Sequence, residues 1–416
     1  MSKVILISAS INGEDTTRKD NEMINLLSSL DMEAIRIYKQ DLKEINKTYY
    51  IGSGKVQEIV TYMRALEDVE AVVFNSDLTP LQYKFLKKEF KTEVFDRTGI
   101  ILQIFAKRAK TREAKLQVEV ATLQYLKARL VEHEANYSQV TSGGGAHNKG
   151  SGEKQIDLDR YKYRVMLAEK NRELESLVAK RAHNRKRRND SLLPVVAIVG
   201  YTNAGKSTLL NTFIDSSKLD NDKKVLQEDR LFATLETSTR YIDVTGFPSF
   251  LLTDTVGFID TLPTTLVKAF RSTLEEITEA DLLVQVVDVS DPMYQQQILT
   301  TNNTLKEIGV EDNIPMVYLY NKVDKIQSFP FLPDENSLFV SLVNNDDIEQ
   351  ICKLIFSKLT IGWEKHYFII PYSENYYGFS KEAYIVKCDE KEDGYHVEAI
   401  VSSTVYKRYI NYINEK

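Results

Sequence analysis

Through about residue 100, apolar residues fall into short runs separated by stretches of helical periodicity. Val4 to Ser8, Ala34 to Tyr38, Ala71 to Phe74 and Glu93 to Phe95 read as strands, and the stretches 19–30, 54–67 and 79–90 read as helices. This alternation predicts a small parallel sheet covered by helices. Thr79 followed by Pro80 marks one helix start, since a Thr hydroxyl can cap first-turn amides and Pro loses no hydrogen bond at the first helical position. From about Ala106 the period changes. Leu116, Val120, Leu123, Leu126 and Leu130 recur at spacings of three and four, which predicts one apolar stripe on a helix reaching about Ala135. A second helix is predicted from near Ile156 to about Lys186, with Leu158, Tyr161, Val165, Leu174, Leu177 and Val178 on the side facing the first, so that the two form an antiparallel hairpin. Between them, 137–154 contains Gly143-Gly144-Gly145 and offers no apolar anchor, which predicts a long exposed tip loop of the kind usually kept for function.

A polar boundary from Arg185 to Ser191 precedes Pro194, after which strands and helices alternate again to about Leu359. The remainder reads as a small α+β appendage, with strands at His366–Pro371 and Tyr395–Val401 and helices near 376–385 and 403–413. The expected class is therefore α/β, in four parts: an N-terminal α/β subdomain over 1–105, a helical hairpin over 106–190, a nucleotide-binding domain over 191–360 and a small α+β domain over 361–416. Trp363, His366 and His396 show no chemical spacing and are assigned to packing or surface.

Charge adds one asymmetry. The formal balance of the chain is −6, yet Ala106–Asp190 carries 20 Lys plus Arg against 11 Asp plus Glu, a local surplus of nine. A basic stripe on an acidic body suits contact with a phosphate surface at one place. The opening apolar run is too short for a signal peptide, and no run reaches the length of a membrane span, so the expected location is cytoplasmic. Cys352 and Cys388 have no His or Cys partner at zinc spacing and are expected to be buried free thiols.

The chemistry is concentrated after Pro194. The strand Val195–Val199 runs into Gly200-Tyr201-Thr202-Asn203-Ala204-Gly205-Lys206-Ser207-Thr208, a G-x-x-x-x-G-K-S loop between a strand and a helix. Its backbone amides and the helix N-terminus suit a phosphate chain, Lys206 suits the β- and γ-phosphates, and the Ser207 hydroxyl suits Mg²⁺. Gly52-Ser53-Gly54-Lys55 resembles this loop but continues with Val56, which cannot bind a metal, and is rejected as a second site. Downstream, a strand ends in Asp254-Thr255-Val256-Gly257, which places a metal-binding carboxylate and an amide for the γ-phosphate. Another strand delivers Asn321-Lys322-Val323-Asp324. Asp324 can accept from guanine N1–H and its 2-amino group, whereas adenine has neither donor there, so GTP and GDP are favoured over adenine nucleotides. Asn321 would tie the loops together, Lys322 would lie along the base, and Ser341 with Leu342 is a candidate final base loop. In the segment 230–240, Thr234, Thr237 and Thr239 each offer a hydroxyl for the metal in a nucleotide-sensing switch. Phe258 stands where many GTPases place a glutamine that orients water, which predicts slow unassisted hydrolysis.

Together these loops resemble the HflX GTPases that associate with ribosomes. Beyond the nucleotide loops the resemblance rests on Tyr50 through Val56, Asn75 through Pro80, Asp96-Arg97-Thr98, Arg108 through Glu119, Gly143-Gly144-Gly145 and Gly152-Glu153. It implies a Ras-like P-loop G domain between the small α/β subdomain with its hairpin and the small C-terminal domain, and it selects Thr234 as the switch threonine. It also implies that the GTP form binds the large ribosomal subunit, with the loop at Gly143, Gly144 and Gly145 reaching ribosomal RNA near the peptidyl-transferase centre, and splits stalled ribosomes under stress; the chain is expected to be a monomer. Departures from the family pattern occur at Ala146, at Ser151 in place of the usual proline, at Tyr161 in place of an arginine, and at Leu342 in place of an alanine. An assembly factor for the large subunit and a stand-alone RNA-binding hairpin are the competing readings.

Overall fold

A computed structural model of the chain describes residues 1–66, 68–135, 151–189, 193–217, 238–255, 257–258, 277–311, 313–343 and 347–414. They group into two compact units, one built on Met1–Ala179 and the other on the described residues from Lys180 onward.

The first unit begins β1 (Ser2–Ile11), α1 (Thr17–Ser29), β2 (Met32–Leu42), α2 (Ser53–Ala65), β3 (Ala71–Phe74), α3 (Pro80–Phe90), β4 (Glu93–Phe95) and α4 (Arg97–Arg108). Its strands form a four-stranded parallel sheet in the order β2-β1-β3-β4. Six consecutive residues of β1, Val4–Ala9, are buried, as expected of a central strand covered on both faces. Thr79 caps α3 as anticipated: its hydroxyl accepts from the Gln82 amide at 3.3 Å while the Gln82 side chain accepts from the Thr79 amide at 2.9 Å.

The sequence pattern predicts no element over α4. Ile100, Ile101, Leu102, Ile104 and Phe105 are all buried and form a short dense apolar run that reads equally as strand or helix, with Gln103, Ala106 and Lys107 on the side toward solvent. Its N-cap, Asp96, is the hub of this region. One carboxylate oxygen accepts from the Gly99 amide at 2.8 Å and the Tyr125 hydroxyl, and the other from the Leu78 amide at 3.2 Å and the Arg129 guanidinium. Arg129 also stacks on Tyr83 and Tyr125, 3.9 and 4.0 Å from the ring centroids.

Tyr125 and Arg129 belong to α5 (Arg112–Ala135), which pairs antiparallel with α6 (Ser151–Asn189). The contacting face of α6 corrects the expectation. Leu158, Tyr161 and Val165 are exposed, and Tyr163 and Leu167 instead pack on Val120 and Leu123. α6 carries apolar residues on two sides, and the side with Tyr163 and Leu167 also sets Lys170 against Glu119 at 2.8 Å and Glu173 against Arg112 at 2.7 Å, partly exposed pairs that add little to the choice.

The second unit contains β5 (Val195–Gly200), α7 (Lys206–Ser216), β6 (Ser238–Ile242), β7 (Phe250–Asp254), β8 (Leu282–Asp288), α8 (Tyr294–Glu307), β9 (Met316–Asn321), β10 (Ser337–Val340) and α9 (Ile348–Leu359). The sheet order is β10-β9-β8-β5-β7-β6, parallel except for the β6–β7 pair. Such a sheet gathers the loops that follow β5, β7 and β9 at one edge, where ligands of α/β folds bind. Leu209, Leu210 and Phe213 of α7 and Ile351, Ile355 and Phe356 of α9 bury against it, and Cys352 lies in the same core, where burial pushes its thiol pKa up to about 12.

The C-terminal part adds β11 (Glu364–Ile370), α10 (Tyr376–Glu382), β12 (Tyr384–Lys391), β13 (Gly394–Val401) and α11 (Ser403–Arg408), with an antiparallel sheet in the order β11-β13-β12. Two expectations change here. A third strand, β12, takes the last two residues of the stretch 376–385 read as helix and continues over residues given no element, and Cys388 on it is exposed. An edge strand that buries little shows neither alternation nor an apolar run, so its sequence hides it. This part is fastened to the larger sheet by Tyr384 packing on Phe247 and Phe356, by the Lys381–Asp243 ion pair, and by the Ser249 amide donating to the Lys381 carbonyl at 2.8 Å.

Asp96→Ala strands the Arg129 cation in a nearly buried site and removes the α4 cap, so the local stability of α4 and α5 should fall by about 3 kcal/mol. Hydrogen–deuterium exchange of the full chain should show their amides exchanging roughly a hundredfold faster, with β5 and β8 unchanged. Unaltered exchange in α5 would show that Asp96 does not anchor it.

Candidate functional site

The site forms where β5, β7 and β9 end. Asn203 and Gly205 take positive φ angles of 62° and 110°, which wraps the loop 200–205 back over the start of α7. Gly205 is required for a second reason: a Cβ there would stand 2.2 Å from the Asn321 side-chain nitrogen. That nitrogen donates to the Ala204 carbonyl at 2.8 Å, and the Asn321 oxygen accepts from the Leu342 amide at 3.1 Å. One buried amide therefore joins the phosphate loop, the base loop and the final loop. Leu342 contributes through its backbone, and its side chain turns into the core of the sheet.

Lys206 is almost fully buried and donates to the Tyr201 carbonyl at 2.6 Å. Burial drives its pKa down to about 8; the charge of Asp254 opposes this and that of Lys322 adds to it. Asp254 lies at the end of β7 with no solvent exposure. Gly257 sits so close to Lys206 and Thr202 that a Cβ would meet the lysine nitrogen at 2.9 Å and the Thr202 methyl at 2.7 Å. Phe258 is buried, its amide donating to the Gly200 carbonyl at 3.1 Å and its carbonyl accepting from the Thr202 amide at 2.8 Å. Its ring carries no group that could orient water. The buried Thr202 hydroxyl meets no hydrogen-bond partner among the described residues, as suits a group that faces a ligand.

On the base side, Lys322 adopts a left-handed φ of 68° and its ammonium reaches both the Asn203 carbonyl at 2.8 Å and the Asp288 carboxylate at 2.7 Å. The exposed Asp324 accepts from the Ser341 hydroxyl at 2.8 Å. Two acids that the sequence reading did not single out belong to this constellation: Asp288, and Asp347, which accepts from the Ser341 amide at 3.0 Å and so orients the residue that holds Asp324.

The structure thus brings together Gly200 through Thr208, Asp254, Gly257, Asn321, Lys322, Asp324, Ser341 and Leu342. Thr234, Thr237 and the loop at Gly143, Gly144 and Gly145 lie outside the described residues. Thr239 lies in β6, its hydroxyl 3.1 Å from that of Thr253. The rejected Gly52–Lys55 loop follows no strand directly: Gly52 is the N-cap of α2, its amide donating to the Gln40 side chain, and Lys55 pairs with Glu58. A cation here would meet hard oxygens, the Ser207 hydroxyl and the Asp254 carboxylate. Among the described residues no three His, Cys, Asp or Glu side chains form a metal cluster. That donor set fits Mg²⁺, which is held by few protein oxygens together with phosphates and water.

Three family models match the chain: a GTP-binding GTPase N-terminal domain over residues 18–106, a GTP-binding GTPase middle region over 108–188, and a 50S ribosome-binding GTPase over 195–322. The GTPase HflX of Caldanaerobacter subterraneus subsp. tengcongensis is 36% identical over 412 residues, covering 99% of this chain and 93% of its own length. That of Alkalihalophilus pseudofirmus is 41% identical over 83% of this chain and 80% of its own, and that of Escherichia coli 35% identical over 85% and 82%. A solved GTP-binding protein from Sulfolobus solfataricus in complex with GDP aligns at 24% identity and a TM-score of 0.46, over 87% of this chain and 99% of that one.

Two outcomes follow from this geometry. A bound phosphate favours the charged form of Lys206, so its pKa in the complex lies above the value near 8 of the free site. GDP affinity should therefore hold constant up to about pH 7 and fall roughly tenfold by pH 9, which titration calorimetry reads directly; a flat profile would contradict the burial argument. Asp324→Asn replaces a double acceptor with a group that must oppose one of the two guanine donors. It should weaken GDP binding by about a hundredfold and erase the preference for guanine over hypoxanthine, measured by competition between GDP and IDP.

Proposed function

The chain belongs to the HflX family of GTPases, and on that footing we propose that it is a guanine-nucleotide switch acting on the large ribosomal subunit: the GTP form binds the subunit and separates stalled ribosomes, and hydrolysis releases it. Nucleotide binding and hydrolysis follow from the family and from the loops joined by Asn321. The ribosomal partner is supported chiefly by the match of residues 195–322 to a 50S ribosome-binding GTPase family. The basic surplus of 106–190 adds to it, since ribosomal RNA is a phosphate surface.

Within this reading each loop has a task. The amides of 200–208 cradle the phosphates, Lys206 neutralises β- and γ-oxygens, and the Gly257 amide meets the γ-phosphate. Lys322 covers the base that Asp324 selects. Ser207, Asp254 and the switch threonine Thr234 would hold a Mg²⁺ ion, which supplies positive charge against the phosphates when bound. The buried ring of Phe258 leaves the attacking water without a side-chain guide at that position, so turnover stays slow until the ribosome orders the site. The tip loop at Gly143, Gly144 and Gly145 is the part assigned to ribosomal RNA near the peptidyl-transferase centre. No helix among the described residues is long and apolar enough to cross a membrane, and a monomeric factor working in the cytoplasm is part of the same proposal.

The test is sedimentation of the full chain with ribosomes in GDP, GTP and a non-hydrolysable GTP analogue. The analogue should drive co-migration with the large subunit and raise the fraction of free subunits, and GDP should do neither. Binding confined to immature particles would replace the splitting role with an assembly role. If the analogue produced neither binding nor splitting, the ribosomal partner would be abandoned and the GTPase retained.

A further inference from the structure

Asp288 closes β8, where it stands in register with Asn321 of β9, and the Val289 amide donates to the Asn321 carbonyl at 3.1 Å. This pairing sets the carboxylate beside the turn at Lys322. Its two oxygens are used differently. Oδ1 accepts from the Ser290 amide at 3.1 Å and the Ser290 hydroxyl at 2.5 Å, an ordinary side-chain turn at a strand end. Oδ2 takes the Lys322 ammonium at 2.7 Å, a contact that the turn does not need. The same ammonium donates to the Asn203 carbonyl of the phosphate loop at 2.8 Å. Both members of the Asp288–Lys322 pair are about four-fifths shielded from solvent, with side-chain exposures of 18% and 17%, so water screens it less than a surface pair.

We propose that Asp288 is a positioning residue for guanine-nucleotide retention: its Oδ2 holds Lys322 so that the lysine both covers the base and latches the base loop to the phosphate loop. Lys322 has a flexible four-carbon stem and no preferred direction of its own. A carboxylate on one side and a carbonyl on the other fix its end, and the stem between them becomes a stiff wall for the base. Without the carboxylate the ammonium is free to leave for solvent, and the loops lose a link that lies outside the Asn321 bridge. The consequence falls on release, because the lysine stem meets the base only in the docked complex, and contacts of that kind act mainly through the dissociation rate.

Asp288→Asn separates this role from the turn. Asparagine accepts the same Ser290 contacts and forms the same turn, but it presents at best a neutral group to Lys322. In the full chain loaded with a fluorescent GDP analogue and chased with excess GDP, Asp288→Asn should release the nucleotide about tenfold faster than the parent, and Asp288→Glu should lie between the two. In a Lys322→Met background, Asp288→Asn should add nothing, since the group it acts through is gone. A purely structural role would instead give effects that multiply in the double variant. That multiplication, or release by Asp288→Asn within twofold of the parent, overturns the proposal. Should Asp288→Asn not fold by circular dichroism, Ser290→Ala loosens the carboxylate while keeping its charge. It is then expected to speed release two- to threefold in the parent and not at all with Lys322→Met, and no change in the parent overturns the proposal equally.

Discussion

One primary amide carries the architecture of the nucleotide site. The Asn321 side chain is buried, donates to the Ala204 carbonyl and accepts from the Leu342 amide, so three loops far apart in sequence meet on a single planar group. A buried amide left half satisfied costs about 1–3 kcal/mol, and this sets the demand on its neighbours. Gly205 must lack a side chain because the Asn321 nitrogen occupies the space where one would go. Leu342 meets Asn321 through its backbone amide, and its side chain finds room in the core. Sequence tolerance in these loops thus follows from which atoms touch the amide.

The phosphate side rests on a different balance. Lys206 is a cation held out of water, and its nearest compensation is the buried carboxylate of Asp254 together with the Tyr201 carbonyl. Taking a charge out of water is unfavourable unless partners replace the solvent. A phosphate chain would supply further negative charge and so favour the ionised form of Lys206. Gly257 adds to this preparation by lying against the lysine, where a Cβ would stand 2.9 Å from its nitrogen, and Phe258 ties to Thr202 and Gly200 through its backbone.

Much of this was readable from residues alone, and the failures have physical causes. The phosphate loop, Asp254, Asn321 and Asp324 are legible because each sits directly after a run of buried-strand residues, so motif and context agree. α4 is not, because five apolar residues crowd into 100–105, a short run that reads equally as strand or helix. The contact face of α6 is not, because the helix carries apolar residues on two sides, Leu158, Tyr161 and Val165 on one and Tyr163 and Leu167 on the other, and only packing on α5 chooses between them. β12 is hidden by its exposure at a sheet edge. Asp288 shows nothing in its own neighbourhood, for its partner Lys322 lies 34 residues further along and reaches it only once β8 and β9 pair. Local patterns announce elements and ordered motifs; contacts made across the finished sheet stay silent until the sheet exists.

The C-terminal part has its own bearing on the site through β6. That strand pairs antiparallel with β7, its Ser238 opposite Asp254, and it ends beside Asp243. Asp243 is nearly buried and is held by Lys381, whose ammonium also lies 4.5 Å from the Tyr377 ring centroid. Sliding β6 along β7 would move Asp243 away from a shielded cation, and separating such a pair costs about 3 kcal/mol, comparable with the whole energy of a typical allosteric coupling. The small sheet therefore braces the far end of a strand whose near end lies beside the carboxylate of the nucleotide site. Its attachment at Tyr384, Lys381 and Ser249 makes the position of β6 a property of the whole second unit, which explains why that unit is compact as one body although its two sheets share no strand.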